Sequence, residues 1–217
     1  MKIEELLQNV DLLIESASQS AVRFIVPRAL EAGCDVMVLS VGALADEALR
    51  EKIFKLAQQN NRKLYFPSGA AVGIDGINSA ASGEISCVTL TTRKPPSGLA
   101  GAPFIKCKGI ELEKIEKETL IFEGTASEAV EAFPANVNVA ATISLAGIGF
   151  ERTKVKIIAD PAASRNVHEI TVEGEFGKFF TKVENLPSPD NPKTSYLAAL
   201  SAISTLKKIL NPVKIGT

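Results

Sequence analysis

The sequence is poor in the residues that hold metals or disulfide frameworks. It has three cysteines, one histidine and no tryptophan in 217 residues. Cys34, Cys87 and Cys107 are widely spaced and form no Cys-x-x-Cys pair. The sequence therefore predicts neither a metal site nor a disulfide framework, and we expect a reducing, cytoplasmic setting.

An excess of one charge sign and a long apolar run are also missing. The 24 Lys and Arg residues are balanced by 25 Asp and Glu residues, which gives a formal net charge of −1. This balance argues against a nucleic acid partner or an anionic membrane surface. No apolar run is long enough to span a bilayer, so we also expect no membrane anchor. The hydrophobic content of 46% is that of a globular chain with a sizeable core.

The chain lacks the Gly-x-Gly-x-x-Gly motif that opens a typical dinucleotide-binding fold. Gly69, Gly73 and Gly76 have a different spacing and follow the third predicted strand instead of the first. We interpret these glycines as turn and packing positions instead of a phosphate loop.

The first third of the chain alternates short apolar runs with amphipathic segments. Strands are predicted at 12–16, 35–40 and 63–67, and helices at 20–32 and 43–60. This order is typical of a parallel sheet with helical crossovers, in which ligands bind at the carboxyl ends of the strands. Small residues follow each predicted strand and would let a flat ligand approach the backbone.

From residue 85 the pattern becomes richer in β-structure. The predicted strands are 86–93, 120–123, 153–159, 169–173 and 178–183, and the predicted helices are 125–133, 134–147 and 194–210. The fold class we predict is α/β: a partial Rossmann-like parallel sheet followed by an α+β substrate and dimerisation domain with a mainly antiparallel sheet. The predicted domains are 1–83 and 84–217, and helix 194–210 is expected to pack back on the first.

The predicted helix 134–147 carries amides where a core helix would carry apolar groups. Asn138 shares one face with Ala141, Thr142 and Leu145, which would line a polar ligand, and Asn136 precedes it. The alternative is a buried helix whose amides cap turns or bond to the backbone. The sequence leaves both interpretations open.

His168 is the only side chain with an unperturbed pKa near neutrality, so it is the candidate for proton transfer. A lone histidine is more often structural, and this alternative stays open. Cations recur at loop-like positions: Arg93, Lys94, Arg165 and Lys193. Each is ordinarily a solvated charge, but if they converge they would bind a small molecule with two carboxylates.

Eight stretches, in order along nearly the whole chain, resemble the L-aspartate dehydrogenases of archaeal and bacterial NAD biosynthesis. They are Glu15-Ser-Ala-Ser-Gln, Leu39-Ser-Val-Gly-Ala, Pro67-Ser-Gly-Ala, Thr91-Thr-Arg-Lys, Phe122-Glu-Gly, Phe133-Pro-Ala-Asn-Val-Asn-Val-Ala-Ala, Asn166-Val-His-Glu-Ile and Asn191-Pro-Lys-Thr-Ser-Tyr-Leu-Ala-Ala-Leu-Ser. The resemblance implies oxidation of L-aspartate to iminoaspartate with NAD or NADP. The imine then feeds quinolinate synthesis or hydrolyses to oxaloacetate and ammonia. The resemblance also implies a homodimer built on the sheet of the second domain.

The resemblance implies a catalytic role for His168 as well as nicotinamide contacts from the Ser-Gly-Ala region and Asn138. The expected cofactor-binding residues are Ser68, Gly69, Ala70, Ala71, Val72 and Asn138. The expected substrate-binding residues are Arg93, Lys94, Asn136, Arg165 and Lys193. Our hypothesis is that His168 accepts the proton of the substrate amine as general base, or protonates the imine in the reverse direction.

Members of this family begin with a strand and a glycine-rich loop ahead of the segment that matches Leu12. The first domain is therefore expected to be truncated, without the adenine and pyrophosphate half of the cofactor site. Two alternatives follow. One is a non-enzymatic relative that cannot hold the dinucleotide, and the other is a related two-domain reductase such as one acting on dihydrodipicolinate.

Overall fold

The computed structural model describes residues 3–134, 137–189, 191 and 194–216. The chain forms two compact units, Met1–Pro67 and Ser68–Thr217. The glycine-containing segment 68–83, which we assigned to the first predicted domain, makes its contacts within the second unit.

The first unit is a three-stranded parallel sheet in the order β1-β2-β3. Its elements are α1 (Ile3–Leu7), β1 (Leu12–Glu15), α2 (Gln19–Glu31), β2 (Asp35–Val38), α3 (Glu47–Gln59) and β3 (Leu64–Tyr65). The predicted helix 43–60 is divided, because the side chain of Asp46 accepts a hydrogen bond from Leu49 N and caps α3. A short 3₁₀ helix, Val41–Ala45, precedes that cap.

The second unit is built on a five-stranded sheet in the order β5-β6-β4-β7-β8. The strands are β4 (Ile85–Lys94), β5 (Thr119–Thr125), β6 (Thr153–Ala159), β7 (Asn166–Gly174) and β8 (Gly177–Asn185). Only the β4–β6 pair is parallel. A parallel sheet followed by a mainly antiparallel one confirms the predicted fold class.

The helices of the second unit differ from prediction mainly where glycine and proline begin or end them. They are α4 (Ile74–Ala80), α5 (Pro103–Lys108), α6 (Ala126–Ala132), α7 (Asn138–Ala146) and α8 (Tyr196–Leu210). Neither α4 nor α5 was predicted: α4 begins after Gly73, whose φ is +90°, and α5 ends at Gly109, whose φ is +61°. The helix expected from Pro134 begins at Asn138, and residues 135 and 136 lie outside the described part of the chain.

One face of the second sheet is covered and the other is open. Along β4 the buried positions alternate and end with Leu90, Thr92 and Lys94, and the paired strand β7 continues this face with His168 and Ile170. Helices α6 and α7 pack over the β5–β6 part of this face. Within the described residues no such helix packing is found over the opposite face, which carries charged and threonine side chains with a few apolar ones.

Candidate active site

His168 lies inside strand β7 and not before a strand as predicted. The strand begins at Asn166, so His168 pairs with Thr92 of β4 on one side and with Val183 of β8 on the other. Its side chain points to the covered face and is 5% exposed. Strand pairing on both sides fixes the position of the imidazole within the sheet.

Thr92 makes the hydrogen bond that orients this imidazole. Its Oγ1 lies 3.0 Å from Nδ1 of His168, and the threonine is itself 4% exposed. Among the described residues, none forms a hydrogen bond with Nε2 of His168. That nitrogen is therefore the ring atom that can meet a ligand.

Lys94 is the last residue of β4 and lies on the same covered face, two residues beyond Thr92. We predicted it to be at the start of a loop, but it is 7% exposed, and a Cβ built on Gly98 would lie 3.7 Å from its Cβ and 3.8 Å from its Cδ. Burial lowers the pKa of Lys94 to about 8. Burial, together with the charge of Lys94, lowers the pKa of His168 to about 3. Near neutral pH the imidazole is thus uncharged, and the buried ammonium attracts anions.

Segment 68–72, the expected cofactor-binding stretch, crosses the same face of the sheet. Asn185 Nδ2 donates to the carbonyl of Ala70 and Thr181 Oγ1 donates to the carbonyl of Val72, both at 3.1 Å. On β8 these two residues stand on either side of Val183, the strand partner of His168. The structure therefore brings the segment and His168 together on one face of one sheet.

The backbone of this segment is open at Gly69. Gly69 has a φ of +66°, and a Cβ built there would have no atom within 4 Å, so the backbone is open on that side. The amide of Gly69 donates to Ser201 Oγ at 3.0 Å, which ties the segment to α8. A cavity of about 450 Å³ lies between residues 68–75 and α8, and Ser68, Ala71 and Val72 are among the residues that line it.

The remaining residues expected in the site are distributed differently. Asn138 is the exposed first residue of α7, and Thr142, expected on its ligand-facing stripe, is buried and donates to the carbonyl of Asn138 at 2.9 Å. Asn136 and Lys193 lie outside the described residues. The interpretation of Thr142 as a structural side chain is therefore the better one.

Two expected substrate cations do not join His168. Arg93 points to the open face of the sheet, because successive strand residues alternate, and it pairs there with Glu118 and with Glu169 at 3.8 Å. Arg165 is exposed, and its charge acts on Glu184, which is also on the open-face side of its strand. Of the four cations singled out, the described structure brings only Lys94 onto the face of His168.

Four residues that position the site were not found from the sequence: Thr92, Thr181, Asn185 and Ser201. The alternation of β4 through Lys94 was the available signal, because it places Thr92 on the buried face. The partners of Thr181, Asn185 and Ser201 lie more than a hundred positions away in sequence. No local pattern could have identified them.

A separate polar cluster lies in the first unit, at the carboxyl ends of β1 and β2. The buried carboxylate of Glu15 accepts hydrogen bonds from the amides of Ala17, Ser18 and Ser40 and from the Ser40 hydroxyl, at 2.8 to 3.1 Å. Glu15 thereby joins the two loops that follow these strands. This is the edge at which the parallel sheet was expected to meet a ligand.

The described residues contain no cluster of three or more His, Cys, Asp or Glu side chains placed to hold a metal ion. No helix within the same part of the chain is both long and apolar enough to cross a membrane.

Comparison with known proteins agrees with this two-unit arrangement. Residues 1–67 match the family model of the homoserine dehydrogenase NAD-binding domain, and residues 75–209 match that of the aspartate dehydrogenase C-terminal domain. The L-aspartate dehydrogenases of Methanosarcina barkeri and Methanococcoides burtonii are 81% and 60% identical to the chain over its whole length, which covers 80% of each. The crystal structure of aspartate dehydrogenase from Thermotoga maritima matches 96% of this chain and 80% of its own, with a TM-score of 0.80 and 32% identity.

An NAD-binding domain followed by a sheet domain with a buried histidine defines the class as a two-domain, nicotinamide-dependent oxidoreductase. Within that class the chain belongs to the L-aspartate dehydrogenase family.

Proposed function

We propose that this protein oxidises L-aspartate to iminoaspartate with NAD or NADP in a reducing, cytoplasmic setting. The observation that carries the proposal is the burial of His168 and Lys94 on one face of a sheet that also holds segment 68–72. Family membership supports the choice of substrate. The imine would then enter quinolinate synthesis or hydrolyse to oxaloacetate and ammonia.

Segment 68–72 would hold the nicotinamide ring, and Asn138 would contact its carboxamide. The open side of Gly69 and the small side chains around it support this assignment, as do the anchors that keep the segment on the sheet. When bound, the cofactor supplies the acceptor for the hydride that leaves the substrate α-carbon. The chain's own groups bind the dicarboxylate, keep water away and move the proton.

For the substrate, Lys94 and His168 would face the reacting end. The buried ammonium of Lys94 would attract a carboxylate, and Nε2 of His168 would meet the reacting nitrogen. Asn136 and Lys193 stay in the proposal as residues of the second carboxylate site, and the exposed position of Arg165 beside Glu184 supports leaving it out. The pairing of Arg93 with two glutamates supports leaving it out.

We further propose a homodimer built on the open face of the second sheet. Leu120 and Phe180 are 51% and 58% exposed there. Rows of opposite charge run beside them, including Lys156 with Glu123 at 3.0 Å and Lys182 with Glu184 at 2.9 Å. An apolar surface rimmed by charges supports a self-complementary interface.

The proposed function is tested by His168→Ala in the full chain. We expect the variant to keep the fold and its affinity for NADH but to lose most of its aspartate-dependent turnover. Turnover equal to wild type would remove His168 from the site. A folded wild-type chain that does not bind NADH would favour the non-enzymatic alternative, and activity on dihydrodipicolinate alone would favour the related reductase.

A further inference from the structure

The side chain of Asn185 connects three parts of the second unit. Asn185 is the last residue of β8 and pairs with Asn166 of β7. It is 4% exposed, so its amide is removed from water. Nδ2 donates to the carbonyl of Ala70 at 3.1 Å, and Oδ1 accepts from the hydroxyl of Ser195 at 2.5 Å. One buried amide therefore joins the end of β8 to segment 68–72 and to the start of α8.

The two partners of this amide decide which way it faces. An asparagine amide has a donor end and an acceptor end, and its hydrogen bonds select one of the two orientations. The carbonyl of Ala70 can only accept, so Nδ2 of Asn185 has to face it. The reversed amide would bring two acceptor oxygens together. Oδ1 is thus directed at Ser195, whose hydroxyl can donate to it.

Ser195 does not have the usual role of a serine at the start of a helix. It is the N-cap residue of α8, where a serine oxygen ordinarily accepts a hydrogen bond from an amide of the first turn. Within the residues that the structure describes, the Ser195 side chain makes no such bond, and its hydroxyl donates to Asn185. The backbone bond from Tyr196 N to the carbonyl of Leu186, at 2.9 Å, holds Ser195 beside the end of β8. The hydroxyl is therefore used to orient Asn185 and not to cap the helix.

We propose that Asn185 and Ser195 are positioning residues that hold segment 68–72 in the conformation that receives the nicotinamide ring. The inference deepens the proposed function and rests on it for the identity of the cofactor. Neither side chain touches the cofactor or the substrate in this account. Ser195 acts through the amide of Asn185, and Asn185 acts through the backbone of Ala70.

The middle of the segment depends on Asn185 because its two ends have other anchors. The amide of Gly69 is bonded to α8, and the carbonyl of Val72 is bonded to β8. Ala70 lies between them, and its carbonyl is bonded to Asn185. Without that bond the peptide between Ala70 and Ala71 can rotate while both ends stay fixed. Such a rotation would alter the backbone beside the open side of Gly69, where we place the ring.

Titration of the full chain with NADH tests both residues without turnover. Asn185→Asp keeps the acceptor for Ser195 but places a carboxylate oxygen against the carbonyl of Ala70, and Asn185→Ala removes both hydrogen bonds. We expect the Kd for NADH to rise about tenfold in each variant. Ser195→Ala should raise the Kd about threefold, and Ser195→Thr, which keeps the hydroxyl, should restore the wild-type value.

Thr153→Ala is the matched control for the loss of a buried hydrogen bond. The hydroxyl of Thr153 donates to the carbonyl of Gly149 at 2.8 Å, and Thr153 pairs with Val88, four residues before Thr92 on β4. A loss of folded protein lowers kcat alone, whereas a displaced segment raises the KM of the cofactor. We expect that KM to rise about tenfold in Asn185→Asp and to stay unchanged in Thr153→Ala, with the KM of aspartate unchanged in both.

Amide hydrogen exchange measures the same positioning in the chain without cofactor. We expect the amides of residues 69–72 to exchange about tenfold faster in Asn185→Asp than in wild type and at the wild-type rate in Thr153→Ala.

Thermal melts establish which variants are folded, and the half-buried Ser195 allows the same measurements on Ser195→Ala if the Asn185 variants do not fold. Wild-type exchange and wild-type NADH affinity in the folded variants would overturn the inference while leaving the proposed function standing. A folded wild-type chain that binds no NADH would defeat the proposed function, whereas the exchange rates would still show whether Asn185 holds the segment.

Discussion

At the scale of single residues, His168 makes the stability of the fold sensitive to acid. Its pKa falls from 6.5 to about 3 on folding, so between these values the unfolded chain binds a proton that the folded chain does not. Stability due to this residue is therefore full above pH 6.5 and is lost as the pH falls toward 3.

We expect this residue alone to remove about 2 kcal/mol of the free energy of unfolding between about pH 7.5 and about pH 5. Urea denaturation of wild type and His168→Gln at both pH values measures the difference. The chain has no other histidine, so the remaining pH dependence belongs to groups common to both proteins. An identical loss of stability in the two proteins would show that the imidazole is not held neutral by burial.

In the first unit, Glu15 is the single residue whose hydrogen bonds we expect to affect stability most clearly. One carboxylate oxygen accepts from the amides of Ala17 and Ser18 and from the Ser40 hydroxyl, and the other accepts from the Ser40 amide. In Glu15→Gln an N–H must face at least one of these donors. We predict a loss of about 1–3 kcal/mol in urea denaturation, against about 0.5 kcal/mol or less for the exposed control Glu51→Gln.

At the scale of elements, the strands that carry the site were predicted, but their ends were not. Periodicity located β4 and β7, yet β7 begins at Asn166 and not 169, and β4 continues to Lys94. Alternation in the sequence does not show where a strand ends. The end of β4 is set by its pairing with β6 as far as Ala159 and with β7 as far as Val167. Lys94 and His168, the candidate site residues, lie in these end regions. The sequence therefore predicted a site made of loops, whereas the structure places it on the face of a sheet.

Helix α8 shows a second limit of periodicity. The sequence of the predicted helix 194–210 has an apolar stripe, but Tyr196, Leu200 and Ile203 of that stripe are exposed at 44%, 41% and 52%. The buried residue of this helix is Ser201, which accepts from Gly69 N. A hydrogen bond to a distant backbone amide leaves no mark in the pattern of a helix.

The segment that carries the proposed nicotinamide site depends on Gly73. Its φ is +90°, and a Cβ there would lie 2.9 Å from the methyl group of Thr181. Gly73→Ala therefore has two costs: an unfavourable backbone conformation and a steric clash with Thr181. Gly101 has a φ of +82° with open space around it, so Gly101→Ala pays the backbone cost alone. We predict that Gly73→Ala costs about 1–3 kcal/mol and exceeds the Gly101→Ala control.

Thr181→Ser provides the internal check on this contact, because it removes the methyl group and keeps the hydroxyl that donates to Val72. Combined with Gly73→Ala, it should recover the steric part of the loss in a thermal melt. Equal losses in Gly73→Ala and Gly101→Ala would show that the segment does not lie against β8.

At the scale of the whole molecule, the open face of the second sheet predicts a homodimer. Phe180→Glu should shift the protein toward monomer, since it buries a charge in the proposed apolar patch. Phe176→Glu, at an exposed position in the β7–β8 turn, is the matched control. Sedimentation of the two variants beside wild type measures the effect, and a wild-type monomer at assay concentrations would contradict the dimer.

The family and the order of the two sheets could be predicted from the sequence, because eight motifs and simple alternation span nearly the whole chain. The identity of the residues that meet at His168 could not, since it depends on strand register and on contacts across more than a hundred positions. Lys94 is the instructive case: its type suggested an anion site, but only the fold shows that it is buried beside His168.

Aspartate-dependent reduction of the cofactor is the most direct test of the central claim. Purified chain is mixed with L-aspartate and NAD or NADP, and the reduced nicotinamide, ammonia and oxaloacetate are measured together. We predict that the three products appear in equal amounts with wild type and that Lys94→Met and His168→Ala form them far more slowly. A folded wild-type chain that forms none of them, or variants that match its rate, would contradict the account.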